Sequence, residues 1–193
     1  MKQTLLLLLL VMSGCTQNKE VVNMPKVLFI IAQQGFRDEE LLEPKAVLEN
    51  AGIKVEVASI TRLQAVGSIG VKVEPDLAIE DAIPEDYVYI VVVGGQGAPE
   101  LAEHQEVIEA LQKANNIAAI CIGPTVLAKA GLLNGKKATV FKTPESVAIL
   151  EEGGAIFVDQ DIVVDGTLVT ANGPHVAKEF GKQLLKSITG NRQ

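Results

Sequence analysis

Tryptophan is absent from this 193-residue sequence, and aromatic residues make up only 4% of it. Histidine and cysteine occur twice each at widely separated positions, which excludes a structural zinc site of the usual spacing. No run of lysine or arginine is present, and the formal net charge of −7 argues against non-specific nucleic-acid binding. No GxGxxG pattern follows the first apolar run, so nothing supports a dinucleotide cofactor. We therefore expect no nucleic-acid partner and no cofactor.

With so few aromatic side chains, the core has to be built from Val, Ile, Leu and Ala, and the hydrophobic content is 48%. Apolar runs typical of strands covered on both faces alternate with segments of helical spacing. We predict strands over 26–32, 53–60, 87–95 and 117–120, and helices over 38–51, 104–115, 124–130, from about 143, and over 174–188. Further strands are expected at 138–141, 155–158 and on both sides of Asp165–Gly166, with a short hairpin within 61–84. This order predicts an α/β fold, with a parallel sheet between helices in a single domain over 26–190.

The first residues form a separate segment. Lys2 is followed by the apolar run LLLLLLVM and by small residues before Cys15. The run is short for a bilayer span and typical of a signal peptide, and its end, VMSGC, is similar to a lipobox, in which the cysteine is lipidated. We predict a lipoprotein signal peptide over 1–14 and a lipidated Cys15 with a flexible tether over 15–25. This predicts an extracytoplasmic protein anchored to the membrane through Cys15, the alternative being a cytoplasmic protein whose translation starts at Met24.

Cys121 stands at a sharp change of conformation. The stretch AAICIGPT runs from a predicted strand into a predicted helix, and Gly123 and Pro124 mark the first helical turn. A nucleophile on such a turn is held on a strained bend above the sheet, and the positive end of the helix dipole favours its thiolate. The competing interpretation is a small buried hydrophobe, which is common for a free cysteine. The turn favours a reactive thiol.

Two further groups follow predicted strands, at the edge where open parallel sheets bind ligands. Gly94 and Gly95 can bring backbone N–H groups beside the sulfur and so stabilise an oxyanion. Asp38, Glu39 and Glu40 begin the first predicted helix, where carboxylates normally complement the helix dipole. Taken alone, the glycine pair is explained by a simple turn, and the three acids are explained by a favourable helix start.

Four segments together resemble, in order, the motifs of the ThiJ/PfpI superfamily, a class I glutamine amidotransferase-like group that includes peptidases and a deglycase. They are KVLFIIAQQGFRDEEL, VVVGGQGAPEL, AAICIGPTVLAKAGLLNGKKAT and DIVVDGTLVTANGP. The likeness covers residues 26–189, and the block around Cys121 is the specific one. The resemblance implies a flavodoxin-like three-layer sandwich that forms a homodimer.

The same resemblance implies residue roles. Cys121 matches the elbow nucleophile, and Glu40 matches a buried, protonated glutamic acid that hydrogen-bonds the sulfur. Gly95 and Ile122 match the backbone N–H donors of an oxyanion hole. The role of Glu40 is physically sound, because a carboxyl group desolvated near a thiolate has a raised pKa and can donate its proton. Cys121 and Glu40 offer a metal only two ligands, so no metal site is expected.

The sequence departs from the superfamily at both familiar histidine positions. Its peptidases place a histidine directly after the nucleophile, where this chain has Ile122, and another branch has one further on, where this chain has Phe141 or Lys142. A Cys–His dyad of either kind is therefore missing, which weighs against a peptidase. His104 is expected at the surface. His175 is a candidate replacement base, with a surface helix cap as the competing interpretation.

Three functions follow from these residues. The favoured one is an enzyme of glyoxalase or deglycase type, in which the Cys121 thiolate adds to a small reactive carbonyl and Glu40 shuttles a proton. The second is a redox-sensing or stress-protective, chaperone-like protein in which Cys121 oxidises to a sulfinic acid held by Glu40. The third is a PfpI-type cysteine peptidase, which Ile122 disfavours.

Overall fold

The computed structural model describes residues 24–190. Its strands are β1 (Lys26–Ile30), β2 (Gln34–Phe36), β3 (Lys54–Ser59), β4 (Ala65–Gly67), β5 (Lys72–Val73), β6 (Leu77–Ala78), β7 (Tyr89–Val92), β8 (Ile117–Ile120), β9 (Lys137–Ala138), β10 (Ile156–Phe157), β11 (Ile162–Asp165) and β12 (Leu168–Ala171). Its α-helices are α1 (Asp38–Asn50), α2 (Gln105–Lys113), α3 (Gly123–Lys129), α4 (Pro144–Glu152) and α5 (Ala177–Gly190). Short 3₁₀ segments occur at Ile79–Asp81, Pro84–Asp86, Ala98–Glu103 and Pro174–Val176.

A seven-stranded sheet lies at the centre, in the order β11–β12–β8–β7–β1–β3–β6. Neighbouring strands are parallel except β11 and β12, which pair antiparallel and place Asp165 opposite Leu168 across the expected tight turn. β1 lies between β3 and β7, so that Val27 is opposite Val55 on one side and Tyr89 on the other. The predicted α/β arrangement is confirmed, with an antiparallel strand added at one edge.

The side chains of β1 alternate between two hydrophobic layers, one on each face of the sheet. Val27 and Phe29 belong to the cluster that includes Phe180 and other side chains of α1 and α5. Leu28 and Ile30 belong to the opposite cluster, which includes side chains of α2, α3 and α4. Phe29 is fully buried, and truncating such a phenylalanine to alanine costs about 3–5 kcal/mol. Both faces of the sheet are therefore covered, as the continuous apolar runs predicted.

Pro44 lies inside α1 rather than at its start. The helix begins at Asp38 and continues past the proline to Asn50. Because proline has no N–H, it cannot make the helical hydrogen bond to the carbonyl oxygen of Glu40. Pro44 is buried against α5, where a Cβ atom on Gly181 would lie only 2.7 Å from the Pro44 Cα atom. The close contact between α1 and α5 explains why a glycine occupies that position.

The irregular segment between β3 and β7 contains the expected hairpin. β4 and β5 pair antiparallel, with Ala65 opposite Val73, and β4 also pairs with β2. The buried carboxylate of Asp38 accepts hydrogen bonds from the N–H groups of Ile69 at 2.9 Å and Val71 at 2.7 Å. The first residue of α1 therefore holds the turn of this hairpin in place.

The strand predicted over 138–141 forms only in part. β9 covers Lys137–Ala138 and pairs in parallel with β10. Beyond it, the Thr139 N–H donates to Thr170 Oγ1 at 2.9 Å, and the Phe141 N–H donates to the carbonyl oxygen of Cys121 at 2.7 Å. These residues hydrogen-bond β12 and the Cys121 turn, which ends the ladder with β10.

The predicted signal peptide, Cys15 and most of the tether lie outside the described residues, so these features stay predictions. Within residues 24–190, no helix is both long enough and apolar enough to cross a membrane.

Candidate functional site

Cys121 occupies a strained bend between β8 and α3. Its φ angle is 62°, and it is the one non-glycine residue between 24 and 190 with a positive φ. Its N–H donates to the carbonyl oxygen of Ala171 at 2.8 Å, and its own carbonyl oxygen accepts from Phe141. Because neighbouring segments hold both backbone groups, the surrounding structure maintains a conformation that an L-residue rarely adopts. The side chain is 9% exposed.

Gly123 allows the helix after Cys121 to lie close to the sheet. A Cβ atom at this position would lie 2.7 Å from the carbonyl oxygen of Val92, in the adjacent strand β7. Pro124 follows within the first turn of α3, where a missing N–H leaves no helical bond unmade. The predicted elbow geometry is therefore present, with glycine and proline at positions that suit them.

Glu40 reaches Cys121 from the first turn of α1. Its side chain is fully buried, and Oε2 accepts a hydrogen bond from the Gly94 N–H at 3.0 Å. A Cβ atom on Gly94 would lie 2.6 Å from both Glu40 Oε2 and Cys121 Cβ, so the two side chains meet above this glycine. Glu40 Oε1 is buried and has no nitrogen or oxygen partner among residues 24–190. The Cys121 sulfur is the neighbouring side-chain group that hydrogen-bonds this carboxyl.

Burial raises the pKa of Glu40 to about 7, against the opposing effects of the hydrogen bonds with Cys121 and Gly94 and of the Arg37 charge. Burial and the adjacent Glu40 carboxylate raise the pKa of Cys121 to about 12, while hydrogen bonds from the N–H groups of Gly95 and Ile122 lower it. Two acids in contact titrate as a pair. Between these two values the pair keeps one proton and carries one negative charge.

An open cleft of about 320 Å³ leads to this pair. Its lining residues are Arg37, Glu40, Ser68, Gly95, Gln96, Cys121, Ile122, Phe141 and Pro174. The structure thus brings together Cys121, Glu40, Gly95 and Ile122, which the sequence placed far apart along the chain.

His175 does not line the cleft. Its side chain is 61% exposed, and Nε2 lies 3.5 Å from Asp161 Oδ1. His104 is half-buried at the start of α2, with Nδ1 3.1 Å from Glu106 Oε1. Of the two residues considered at the second histidine position, Phe141 lines the cleft, whereas Lys142 pairs with Asp159 at the surface. No group of three or more candidate metal ligands occurs within residues 24–190.

A family model described as the DJ-1/PfpI family matches residues 25–187 of this chain. The chain belongs to the DJ-1/PfpI family. An uncharacterized protein from Methanocaldococcus jannaschii is 44% identical over 98% of this chain and 97% of its own length. A protein from Thermococcus kodakarensis named a deglycase is 35% identical over 84% of this chain and 99% of its own length.

Solved structures of the DJ-1/PfpI family show the same fold. The ThiJ/PfpI domain protein from Brachyspira murdochii superposes with a TM-score of 0.81 at 27% identity, covering 86% of this chain and 98% of that one. DJ-1beta from Drosophila melanogaster gives a TM-score of 0.79 at 32% identity, covering 86% of this chain and 91% of that one. The flavodoxin-like fold expected from the sequence is thereby confirmed.

The three carboxylates at the start of α1 have three different partners in this DJ-1/PfpI chain, although their pattern alone predicted only helix-dipole complements. Asp38 holds the hairpin, and Glu40 meets Cys121. Glu39 pairs with Arg37, through Nε to Oε2 at 2.8 Å and Nη2 to Oε1 at 2.9 Å. Tertiary contacts therefore decide the role of each acid.

Arg37, Ser68 and Gln96 line the cleft but were not singled out from the sequence. Arg37 gave one usable signal, since it is the basic residue that directly precedes the three acids of GFRDEEL. Nothing in the sequence pointed to Ser68, because it lies at the cleft only through the hairpin that Asp38 holds. The cleft thus combines a thiol, a proton-holding carboxyl, two backbone donors and one guanidinium group.

Proposed function

We propose that this protein is a cysteine-dependent enzyme that converts small reactive carbonyl compounds, in particular α-oxoaldehydes such as methylglyoxal, into α-hydroxycarboxylates. The observation that carries the proposal is the contact of the Cys121 sulfur with a fully buried carboxyl group and with two backbone N–H groups in an open cleft. Relatives from Thermococcus kodakarensis and Pyrococcus horikoshii that are named deglycases support the class of substrate.

The hydrogen bonds favour placing the single negative charge of the pair on sulfur. The N–H groups of Gly95 and Ile122 both hydrogen-bond the sulfur, whereas the Gly94 N–H is the backbone donor to the carboxyl. A thiolate beside a protonated Glu40 therefore has more donors than a thiol beside a carboxylate, and hydrogen bonds to charged groups are the stronger ones. This form pairs a nucleophile with a proton donor, as carbonyl addition requires.

The reaction begins when the Cys121 thiolate adds to the aldehyde carbon. Glu40 gives its proton to the new oxyanion, which the N–H groups of Gly95 and Ile122 stabilise, and a hemithioacetal forms. The Glu40 carboxylate then removes the hydrogen of the former aldehyde carbon as a proton and returns it to the neighbouring carbon, while the hydroxyl proton moves to the neighbouring oxygen. Water hydrolyses the resulting thioester and releases the α-hydroxycarboxylate and Cys121. The aldehyde carbon is oxidised and its neighbour reduced, so no external oxidant is needed.

The test is lactate formation from methylglyoxal by the purified protein. We expect wild type and Cys15→Ser to produce lactate at equal rates and Cys121→Ala to produce none above background, because Cys121 is the cysteine of residues 24–190 and lines the cleft. The rate constant kcat/KM should rise as pH rises through about 7, where the Cys121–Glu40 pair acquires its single negative charge. Lactate formation by Cys121→Ala at the wild-type rate would contradict the proposal.

A second candidate function is redox sensing at the same cysteine. It is favoured by Glu40 Oε1, a buried oxygen without a nitrogen or oxygen partner among residues 24–190. A protonated Glu40 can donate a hydrogen bond to an oxygen of Cys121 sulfinic acid, which is a stable step on the oxidation ladder. Mass spectrometry after mild peroxide treatment should then show two added oxygens at Cys121 in wild type and further oxidation in Glu40→Gln. An unmodified Cys121 rules this candidate out.

Peptidase activity is the least supported candidate, because Ile122 follows the nucleophile and the cleft contains no histidine. We expect no casein cleavage by the purified protein. Cleavage that disappears in Cys121→Ser would reverse this order of preference.

Membrane anchoring through Cys15 and dimerisation remain proposals that rest on the sequence. Cys15→Ser should move the protein from the membrane fraction to the soluble fraction of cells, and sedimentation of the soluble form should give the mass of a dimer. A membrane-bound Cys15→Ser variant contradicts the first proposal, and a monomer contradicts the second.

A further inference from the structure

The cleft above Cys121 has two chemically different sides. Ile122, Phe141 and Pro174 present side chains without hydrogen-bond donors. Arg37, Ser68 and Gln96 present donors, and Arg37 is the one cationic residue among the lining residues. A substrate bound to Cys121 can therefore contact both apolar side chains and a guanidinium group.

The guanidinium of Arg37 is held in a defined position. Nη2 donates a hydrogen bond to Glu39 Oε1 at 2.9 Å, and Nε lies 2.8 Å from Oε2 without hydrogen-bond geometry, so one hydrogen bond and a close ion pair restrain the group. Nη1 hydrogen-bonds no other residue between 24 and 190, and the Arg37 side chain is 35% exposed. Arg37 lines the cleft and Glu39 does not, so Arg37 is the member of the pair that a bound substrate can contact.

The charge balance of the cleft leaves Arg37 available to a substrate anion. The charge of Arg37 acts on Glu40 and Cys121, which places it near the reacting atoms. Once Cys121 has added to a carbonyl, the Gly95 and Ile122 N–H groups stabilise the oxyanion, and the negative charge has left the sulfur. That charge then lies on Glu40, which has given its proton to the oxyanion, and a carboxylate on the substrate can interact with Arg37 without a competing thiolate. Gln96 lies in the same cleft and can donate further hydrogen bonds, whereas the Ser68 hydroxyl already donates to Asp38.

We infer that the cleft is selective for α-oxoaldehydes whose carbon chain ends in a carboxylate, and that Arg37 binds this carboxylate while Phe141 and Ile122 contact the chain. This assignment rests on the proposed function, since it names the substrate class of the same site. The chemistry is the internal redox step described above, so that γ,δ-dioxovalerate and one water give α-hydroxyglutarate. Arg37 is thus the specificity-determining residue.

The test compares two substrates that differ in one group. γ,δ-Dioxovalerate carries the terminal carboxylate, and propylglyoxal has a methyl group in its place. For wild type, we expect kcat/KM for the acid to exceed that for the neutral compound by about 10-fold to 100-fold, the range of a hydrogen bond to a charged group. Arg37→Gln should bring the ratio close to one. Glu39→Gln, the matched control, leaves the cation in place and should keep the ratio or raise it.

A binding measurement separates failure of this inference from failure of the proposed function. Calorimetry should show that α-hydroxyglutarate binds wild type more tightly than α-hydroxyvalerate, and that Arg37→Gln removes the difference. Methylglyoxal turnover with equal ratios in wild type and Arg37→Gln overturns the carboxylate assignment alone. Arg37-dependent binding of α-hydroxyglutarate without any turnover overturns the proposed function and supports the anion site. Absence of both turnover and Arg37-dependent binding overturns both.

Discussion

Glu40 and Glu56 lie near opposite ends of the same sheet, and their pKa values shift in opposite directions. Glu40 follows the carboxyl end of β1, is fully buried, and has a pKa raised to about 7 by that burial. Glu56 lies in β3 near the amino end of the sheet and has a lowered pKa, because Lys54 and Tyr87 hydrogen-bond it and Lys26 lies nearby. The same residue type therefore keeps its proton to about neutral pH at one end and ionises more readily than usual at the other.

The partners explain the difference. Tyr87 Oη donates to Glu56 Oε2 at 2.6 Å, Lys54 contacts Oε1, and Lys26 Nζ lies 3.9 Å from Oε2 and 4.8 Å from the centre of the Tyr87 ring. Both oxygens of Glu56 thus have partners, and the side chain is 18% exposed. Glu40 has one backbone donor and a sulfur. Hydrogen-bond donors around a carboxyl group stabilise its anion and lower its pKa. Burial with few donors destabilises the anion, raises the pKa and keeps the group protonated at higher pH.

The largest effect is expected from Glu40→Gln. The amide keeps the shape and can donate to sulfur, but it cannot carry a proton between two carbons. We expect kcat/KM for methylglyoxal to fall by about 100-fold or more, the lower range of general acid–base contributions. Glu43→Gln, an exposed acid of the same helix, is the matched control and should leave activity near wild type. Equal activity of the two variants would remove Glu40 from the mechanism.

The next effect concerns stability and its dependence on pH. The folded state holds the Glu40 proton up to about pH 7, whereas the unfolded chain loses it near 4.5. The native contribution of Glu40 is therefore fully present below 4.5 and is lost as pH rises to about 7. Relative to wild type, Glu40→Gln should gain up to about 3 kcal/mol in the free energy of unfolding across that window.

Urea denaturation at several pH values measures this gain. Both proteins should carry Cys121→Ala, because the thiol otherwise shares the titration. If the difference in the free energy of unfolding between the two proteins is the same at pH 4.5 and at pH 7, the raised pKa of Glu40 is contradicted.

Glu56→Gln should change the free energy of unfolding by a smaller amount and in the opposite direction. A lowered pKa gives stability that is present above the unfolded value and is lost as pH falls through the folded value. We expect a loss of about 1 kcal/mol or less at neutral pH, because solvent screens this partly exposed cluster, and convergence with wild type in acid. The same urea series detects it, and activity should be unchanged. A Glu56→Gln protein that loses activity would show that the two ends of the sheet are coupled.

The smallest effect is expected from His175→Ala. The imidazole is exposed and pairs with Asp161 rather than lining the cleft. We expect kcat/KM to stay within about twofold of wild type, as for surface substitutions in general. A loss comparable to that in Glu40→Gln would establish His175 as the general base that the sequence put forward.

Much of the fold was predictable because its signals are local. The apolar runs of β1 and β8 and the Asp165–Gly166 turn each depend on neighbouring residues. Cys121 was singled out for the same reason, since a glycine and a proline directly after a strand indicate a sharp strand-to-helix turn. The short ladder of β9 was less predictable, because Thr139 and Phe141 hydrogen-bond residues distant in sequence.

The amino-acid sequence by itself determined the alternation of strands and helices, the elbow at Cys121 and, through its motifs, the family. The resemblance to the family implied that Glu40 meets Cys121, and only the tertiary structure decided that Arg37 lines the cleft and that His175 does not. The physical reason is that parallel strands need long crossovers, so the residues at one edge of the sheet come from distant parts of the chain. Burial and hydrogen-bond partners, which set the chemistry of each acid, exist only once those parts have packed together.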